Sequence, residues 1–154
     1  MTVTREIDGI WLELQETIAV HHEDVYACFT TEAGLMCWYP VEAEIDLRTG
    51  GQIVLYWNRE KSRKLTVAIL NYDPGGRITW DWYAGSEGAH APLYWEVKPN
   101  VEKGSVVTLR QGPFRDDADS LMIMAEEAAS WSWHLCNLRT TLETKFDMRK
   151  VKPL

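Results

Sequence analysis

Six short segments with strand-like patterning follow one another between residues 41 and 111, and no helical segment interrupts them. Most of them alternate apolar and polar residues with a period of two, which is typical of strands with one buried face. Turn residues separate them, most clearly Asp73-Pro74-Gly75-Gly76, where proline and glycine both suit a tight turn. This spacing predicts an antiparallel meander. Its predicted strands are Val41–Leu47, Gln52–Trp57, Leu65–Tyr72, Arg77–Tyr83, Leu93–Lys98 and Ser105–Gln111.

One long helix follows the strands, from about Asp119 to about Met148. Acidic residues near its start, and basic residues such as Arg149 near its end, suit the helix dipole. A bent sheet with one apolar face needs a cover, and this helix is the only predicted element long enough to provide it. Its apolar residues recur at spacings of three and four and form one stripe, namely Ala125, Ala128, Trp131, Leu135, Leu138 and Leu142.

The chain before the meander predicts one strand and two short helices. Ile10–Val20 alternates with a period near two, after an N-terminal tail that we expect to be frayed. Glu23–Thr30 carries apolar residues at helical spacing, and Thr30 or Thr31 is a suitable cap for a second short helix. The sequence therefore predicts an α+β fold with about seven strands. We expect one domain over residues 1–154, with its core at about residues 10–147.

The charge and the cysteines restrict the partners and the compartment. The net charge is −7, whereas nucleic acid and anionic membranes both require a basic patch. No segment has the apolar length of a membrane span or of a signal peptide. Cys28, Cys37 and Cys136 show neither CxxC nor zinc-finger spacing, so we expect free thiols, with Cys28 and Cys136 in the core. These observations predict a cytoplasmic protein that binds neither nucleic acid nor membrane.

Eight tryptophans are a large number for 154 residues. Strand alternation places Trp57, Trp80, Trp82 and Trp95 on the apolar face, turned toward the helix that carries Trp131. Five indole rings are difficult to pack to crystal-like density under one helix, and their N–H groups need acceptors. A cavity lined by these rings solves both problems and favours a flat, apolar or aromatic ligand. The alternative is that the rings fill the core themselves.

Two polar residues border this predicted cavity. His134 lies one turn after Trp131, where it can contact a ligand, act as an acid or base, or simply bind a backbone carbonyl. Gln111 shares the inward face of the last strand with Val107 and Leu109. The sequence contains no HExxH or GxSxG motif and no phosphate-binding loop. We therefore expect no metal or cofactor and assign no catalytic residue.

Several segments resemble one family when they are taken in order. They are Thr31–Pro40, Glu42–Gly51, Asp73-Pro74 with Arg77–Trp82, Gly112-Pro113-Phe114, and Trp131 followed by Leu135, Leu138 and Leu142. The sequence resembles the START-like (SRPBCC) superfamily and, within it, the homologues of the heat-shock-protein-90 ATPase activator. This resemblance implies the helix-grip (START/Bet v-like) fold, a curved antiparallel sheet around a long C-terminal helix. The chain departs from the family pattern in its tryptophan content and in the Ala84–Ala91 loop, which carries His90.

Because the family includes ligand carriers and co-chaperone modules, three hypotheses remain. The first is a non-catalytic monomer or homodimer that binds an apolar or aromatic small molecule. Its predicted site is Trp57, Trp80, Trp82, Trp95, Gln111, Trp131 and His134. The second is a stress-response module that acts on a chaperone ATPase through an exposed patch around Trp38-Tyr39-Pro40 or Trp133. The third is a polyketide cyclase-like or hydrolase-like enzyme, which requires His134 to act with Gln111 or with an acidic residue.

Overall fold

The computed structural model describes residues 1–82, 91–102 and 104–152. Within these residues the strands are β1 (Thr2–Glu6), β2 (Gly9–Ile18), β3 (Glu42–Asp46), β4 (Gln52–Tyr56), β5 (Lys64–Asp73), β6 (Arg77–Asp81), β7 (Leu93–Pro99) and β8 (Ser105–Phe114). The helices are α1 (His22–Thr30), α2 (Glu32–Met36) and α3 (Ala118–Thr144), and a 3₁₀ turn spans Met148–Lys150. The strands form one antiparallel sheet in the order β1-β2-β8-β7-β6-β5-β4-β3. The predicted α+β class, the meander and the long C-terminal helix are confirmed.

The predictions for the N-terminal segment need correction. The described sheet has eight strands instead of about seven, because Thr2–Glu6, expected as a frayed tail, pairs with β2. All five residues of β1 are exposed, so this strand has no buried face and therefore no alternation that sequence patterning detects. The two short helices follow the second strand, not the first.

Helix α3 lies across the inner face of the sheet. Its start is capped by the side chain of Asp117, which accepts a hydrogen bond from the Ser120 N–H. The helix ends at Thr144, before the predicted end at Met148, because Lys145 adopts a left-handed conformation with φ of 60°. Ala125 is exposed rather than buried, since Met124 fits the same stripe one position earlier. The buried apolar residues of the helix are Met124, Ala128, Trp131, Leu135 and Leu138.

The sequence does not show which side of β5 faces the core, because apolar residues occupy both its odd and its even positions. A β-bulge in this strand explains the pattern. Ile69 pairs with Trp80, whereas Asn71 pairs with Thr79, so Leu70 is an extra residue in this strand. The extra residue reverses the alternation. Ile69 is buried, whereas Leu70 and Asn71 are both exposed. Apolar residues at both odd and even positions of β5 are therefore expected, and Asn71 faces outward.

The segment that follows α3 returns to the region between α2 and β3. The buried amide of Asn137 donates a hydrogen bond of 2.9 Å to the Trp38 carbonyl and accepts one of 2.7 Å from the Met148 N–H. Asn137 thus joins the long helix, the chain after α2 and the C-terminal turn. A buried side chain that satisfies two backbone groups in this way contributes substantially to stability.

Arg149 provides the second connection. It was expected to interact with the end of α3, but its guanidinium pairs with Asp147 instead, at 2.7 Å. The same guanidinium donates to the carbonyl oxygens of Met36, Tyr39 and Pro40 at 2.9 to 3.2 Å. The chain after α2 is therefore held from both sides, by Asn137 and by Arg149.

We expect Asn137→Ala to lower the free energy of unfolding by about 2 to 3 kcal/mol, because two buried backbone groups lose their partner. Urea unfolding followed by circular dichroism measures this change. The control is Ser130→Ala, at an exposed position of the same helix, for which we expect a change within about 0.5 kcal/mol. Equal effects of the two substitutions would contradict the bridging role of Asn137.

Candidate functional site

The aromatic side chains on the inner side of the sheet gather around Tyr39. Its ring centroid lies 5.0 Å from that of Trp57, 5.9 Å from Trp82 and 5.3 Å from Trp131. The imidazole of His134 lies at 4.7 Å, edge to face. Tyr39 itself is buried, and the contacts at its ring are typical of aromatic packing. The chain after α2 thus inserts its tyrosine between strands and helix.

A second group of rings lies deeper. Trp80 and Trp95 are 5.5 Å apart, and Trp131 from α3 lies 5.2 Å from Trp95. These three rings are buried, whereas Trp57 and Trp82 are only partly buried. The structure therefore brings all five predicted tryptophans into one cluster, with two of them at its edge. Their assignment as ligand-binding residues stays a prediction.

A buried carboxylate also belongs to this interior. Glu127, on the inner side of α3, accepts hydrogen bonds at Oε2 from Gln111 Nε2 at 2.6 Å and from Trp131 Nε1 at 3.2 Å. Gln111 also donates to the carbonyl of Ala91 at 3.3 Å. A carboxylate at such a position requires polar partners, because burial of an unpaired charge is very costly. Glu127, Gln111 and Trp131 thus form a polar group at the side of the aromatic cluster.

Sequence reasoning missed Glu127. Acidic residues on helices are mostly exposed, so residue type alone gives no sign of a buried carboxylate. However, Glu127 lies four residues before Trp131 and seven before His134, which places all three on one side of the helix. The spacing was therefore sufficient to predict an inward carboxylate. The enzyme hypothesis requires His134 to act with Gln111 or with an acidic residue, whereas the structure pairs Gln111 with Glu127. A catalytic role of His134 therefore stays a prediction.

Several polar atoms of this interior are buried without a hydrogen-bond partner among the described residues. They are Nε1 of Trp80, Nε1 of Trp95, Oε1 of Gln111 and Nδ1 of His134. Each unsatisfied atom costs roughly 1 to 3 kcal/mol, and native structures contain few of them. Because these atoms are concentrated around one aromatic cluster, we take this interior as the candidate binding site. Donors and acceptors are both available there.

His134 is neutral at physiological pH. Burial lowers its pKa to about 4, and the positive charge of Arg149 acts in the same direction. The rings of Trp38, Tyr39, Trp131 and Trp133 surround the imidazole. The structure thus places His134 at the cluster as predicted, but as an uncharged group in an aromatic environment. Such a group is suited to hydrogen bonding with a neutral ligand.

A separate groove of about 480 Å³ lies on the outer face of the sheet. Its polar lining includes Asn71, Thr79 and Thr108, and the exposed ring of Tyr94 lies beside them. Arg77 is paired with Glu96, and Arg110 is paired with Glu6 and lies over the ring of Trp11. The charged groups of the groove thus largely neutralise one another. Of the residues of the predicted aromatic site, Trp95 alone also lines this groove.

Membrane spans, metal sites and the loop that carries His90 are the remaining points of the sequence analysis. In the part of the chain that the structure describes, no helix is long and apolar enough to span a membrane. No group of three histidine, cysteine or acidic residues in that part is arranged to hold a metal ion. The predicted loop Ala84–Ala91 falls outside the described residues except for Ala91, and so does His90.

The sequence matches the family model of the Activator of Hsp90 ATPase homolog 1-like proteins over residues 19–143. The chain belongs to this family. The resemblance to heat-shock-protein-90 ATPase activator homologues is thereby confirmed. No curated protein matches the sequence significantly.

Solved structures similar to this AHSA1-like chain confirm the helix-grip fold. Protein SSP2350 from Staphylococcus saprophyticus superposes with a TM-score of 0.76 at 19% identity, over 90% of this chain and 96% of that one. The Aha1 dimer from Colwellia psychrerythraea superposes with a TM-score of 0.72 at 18% identity, over 87% of this chain and 96% of that one. DynU16, from the dynemicin biosynthetic locus, superposes with a TM-score of 0.67 at 13% identity, over 89% of this chain and 48% of that one. At these identities the likeness shows the fold alone.

The lowered pKa of His134 predicts a loss of stability in acid. The unfolded chain takes up a proton near pH 6.5, whereas the folded chain does so only near pH 4. The contribution of His134 to the free energy of unfolding is therefore fully present above pH 6.5. It falls by about 3 kcal/mol as the pH drops to 4. We expect His134→Gln to lose less stability over this interval than the natural chain, as measured by urea unfolding. Identical pH dependence in both proteins would contradict the assignment.

Proposed function

We propose that this chain binds a small, flat, aromatic molecule in the interior between the sheet and α3. The observation that carries this proposal is the set of unpartnered polar atoms among the buried rings, described above. Stacking and edge-to-face contacts with Trp80, Trp95 and Trp131 would supply most of the binding energy. A few well-placed polar groups in an otherwise apolar site are typical of small-molecule binding.

The polar atoms indicate the chemistry of the ligand. The indole N–H groups of Trp80 and Trp95 can only donate, so they call for an acceptor such as a carbonyl or hydroxyl oxygen. Oε1 of Gln111 can only accept, so it calls for a donor such as a hydroxyl group. A hydroxyl group satisfies both. We therefore propose a phenol-like or hydroxylated polycyclic aromatic compound.

The partly buried rings give the proposed site an entrance. Trp57 and Trp82 both contact Tyr39, and both keep part of their surface in solvent. A ligand that enters between them would have to displace the ring of Tyr39 to reach the deeper rings. The biosynthetic locus of DynU16 is in keeping with a small molecule as ligand. We propose a cytoplasmic location, because all three thiols are free.

The co-chaperone hypothesis remains the alternative that the family favours. The surface predicted for it at Trp38-Tyr39-Pro40 is wrong, because these residues are buried. Trp38 donates its indole N–H to the Cys28 carbonyl at 2.9 Å, which fixes the ring inside. Trp133 is partly exposed and is the remaining candidate for a contact with a chaperone. Stimulation of a purified Hsp90 ATPase that is abolished by Trp133→Ala would support this alternative.

Binding of 2-naphthol and of naphthalene, measured by isothermal titration calorimetry, tests the proposed function. We expect 2-naphthol to bind about tenfold more tightly, since one good hydrogen bond contributes about 1 to 1.5 kcal/mol. Trp95→Phe keeps an aromatic ring but removes the unpartnered N–H group. We therefore expect this variant to lose most of the preference for 2-naphthol and to retain naphthalene.

Trp11→Phe is the matched control. Trp11 is also buried, but its N–H group already binds Asp8 at 2.9 Å, and Arg110 covers the ring. This variant should retain the full preference for 2-naphthol. If neither compound binds the natural chain, and native mass spectrometry finds no aromatic molecule that copurifies with it, the proposed function is wrong.

A further inference from the structure

Two cysteines that are nine residues apart in the sequence meet in the structure. Cys28 lies in α1, and Cys37 directly follows the last residue of α2. Their sulfur atoms are 3.9 Å apart and share a hydrogen bond. Cys28 is buried, whereas Cys37 is partly exposed. The third cysteine, Cys136, was predicted to be a core residue but is exposed on α3.

The close approach of the two helices is a consequence of Gly34. A Cβ atom at this position would lie only 2.0 Å from the carbonyl oxygen of Ala27 and 2.6 Å from Oγ1 of Thr31. Any larger residue would therefore push α2 away from α1. The side chain of Thr31 caps α2 through the Gly34 N–H at 2.9 Å, and the N–H of Cys37 binds the Gly34 carbonyl. The turn between the helices thus holds Cys37 beside Cys28.

The electrostatic environment makes the two thiols unequal. The hydrogen bond from Cys28 lowers the pKa of Cys37, because it stabilises the Cys37 thiolate. Burial and Asp147 oppose this effect, whereas the positive charges of Arg149 and Lys145 support it. The same hydrogen bond and burial raise the pKa of Cys28. Cys37 is the more accessible of the two and lies near the positive charges of Arg149 and Lys145, so we infer that it is the nucleophile of the pair.

We propose that Cys28 and Cys37 are a peroxide-sensitive thiol pair that closes reversibly into a disulfide. This proposal is independent of the proposed ligand, because it depends only on the α1–α2 pair and the C-terminal turn. It assigns a modification site to a part of the chain outside the aromatic interior. The sulfur atoms must approach from 3.9 Å to about 2.05 Å, a shift that side-chain rotation and a small movement of α2 can provide.

The reaction proceeds in two balanced steps. The Cys37 thiolate attacks one oxygen of hydrogen peroxide, the O–O bond breaks, and Cys37 becomes a sulfenic acid while hydroxide leaves and is protonated to water. Loss of the thiolate ends the hydrogen bond that kept Cys28 protonated. The Cys28 sulfur then attacks the Cys37 sulfur, the S–O bond breaks, and the second hydroxide leaves with the Cys28 proton as water. Two thiols are oxidised and one peroxide is reduced.

Oxidation at this position is expected to affect the aromatic cluster. Cys37 is followed immediately by Trp38 and Tyr39, and Trp38 donates its indole N–H to the carbonyl of Cys28. A movement that joins the two sulfur atoms therefore moves both anchoring points of this indole. Tyr39, at the centre of the cluster, is the next residue. The near-ultraviolet circular dichroism of the aromatic side chains should report the change.

The test treats Cys136→Ser protein with hydrogen peroxide and then determines its intact mass. We expect the loss of two hydrogen atoms without dimerisation, and peptide mapping should find Cys28 joined to Cys37. A thiol reductant should restore both the mass and the near-ultraviolet spectrum. Addition of one or more oxygen atoms to the natural pair, with no disulfide, would overturn the proposal.

Two further variants distinguish the roles of the sulfur atoms. In Cys28→Ser/Cys136→Ser protein the sulfenic acid of Cys37 cannot be resolved, so dimedone should label Cys37. In Cys37→Ser/Cys136→Ser protein we expect at least tenfold less labelling of Cys28. Far-ultraviolet circular dichroism checks that both variants are folded. Equal labelling of the two cysteines, or stronger labelling of Cys28, would contradict the assigned order of attack.

Discussion

The indole ring of Trp131 connects helix α3 to the aromatic side chains on the inner face of the sheet. The ring lies against Trp80 and Trp95 from the strands and against Tyr39 from the chain after α2. Because an indole is large and rigid, it fills much of the space between the helix and these strands with one side chain. The same indole donates its N–H to Glu127, so a carboxylate can be buried beside it. Both the packing of the domain and the chemistry of its interior depend on this residue.

Most of the fold follows from patterns that the sequence shows directly. Alternation and turn residues are sufficient to predict that β3 to β8 are strands, because each of these strands has one face on the core. The same reasoning fails for β1, where all residues are exposed and pairing alone holds the strand. It also fails at Leu70, where one extra residue reverses the alternation. Pairing partners and bulges are non-local properties, and a single sequence does not show them.

The candidate site was predictable in its apolar part but not in its polar part. Tryptophan side chains on strands and helix were correctly expected to face one another. Glu127 and Asn137 were not predicted, because residues of their types are mostly exposed and only their helical spacing indicates that they face inward. The co-chaperone hypothesis placed Tyr39 at the surface, since nothing local indicates that the chain after α2 turns inward. Its position depends on Arg149, a residue that is distant in the sequence.

The way in which Arg149 holds the chain after α2 has a consequence for substitutions in that segment. Its guanidinium binds the backbone carbonyls of Met36, Tyr39 and Pro40 and none of their side chains. Anchorage to the main chain does not depend on which residues occupy these positions. A substitution of Tyr39 would therefore change the shape of the interior but leave the hydrogen bonds from Arg149 in place. Its cost to folding would come from the lost packing of a buried ring, not from detachment of the segment.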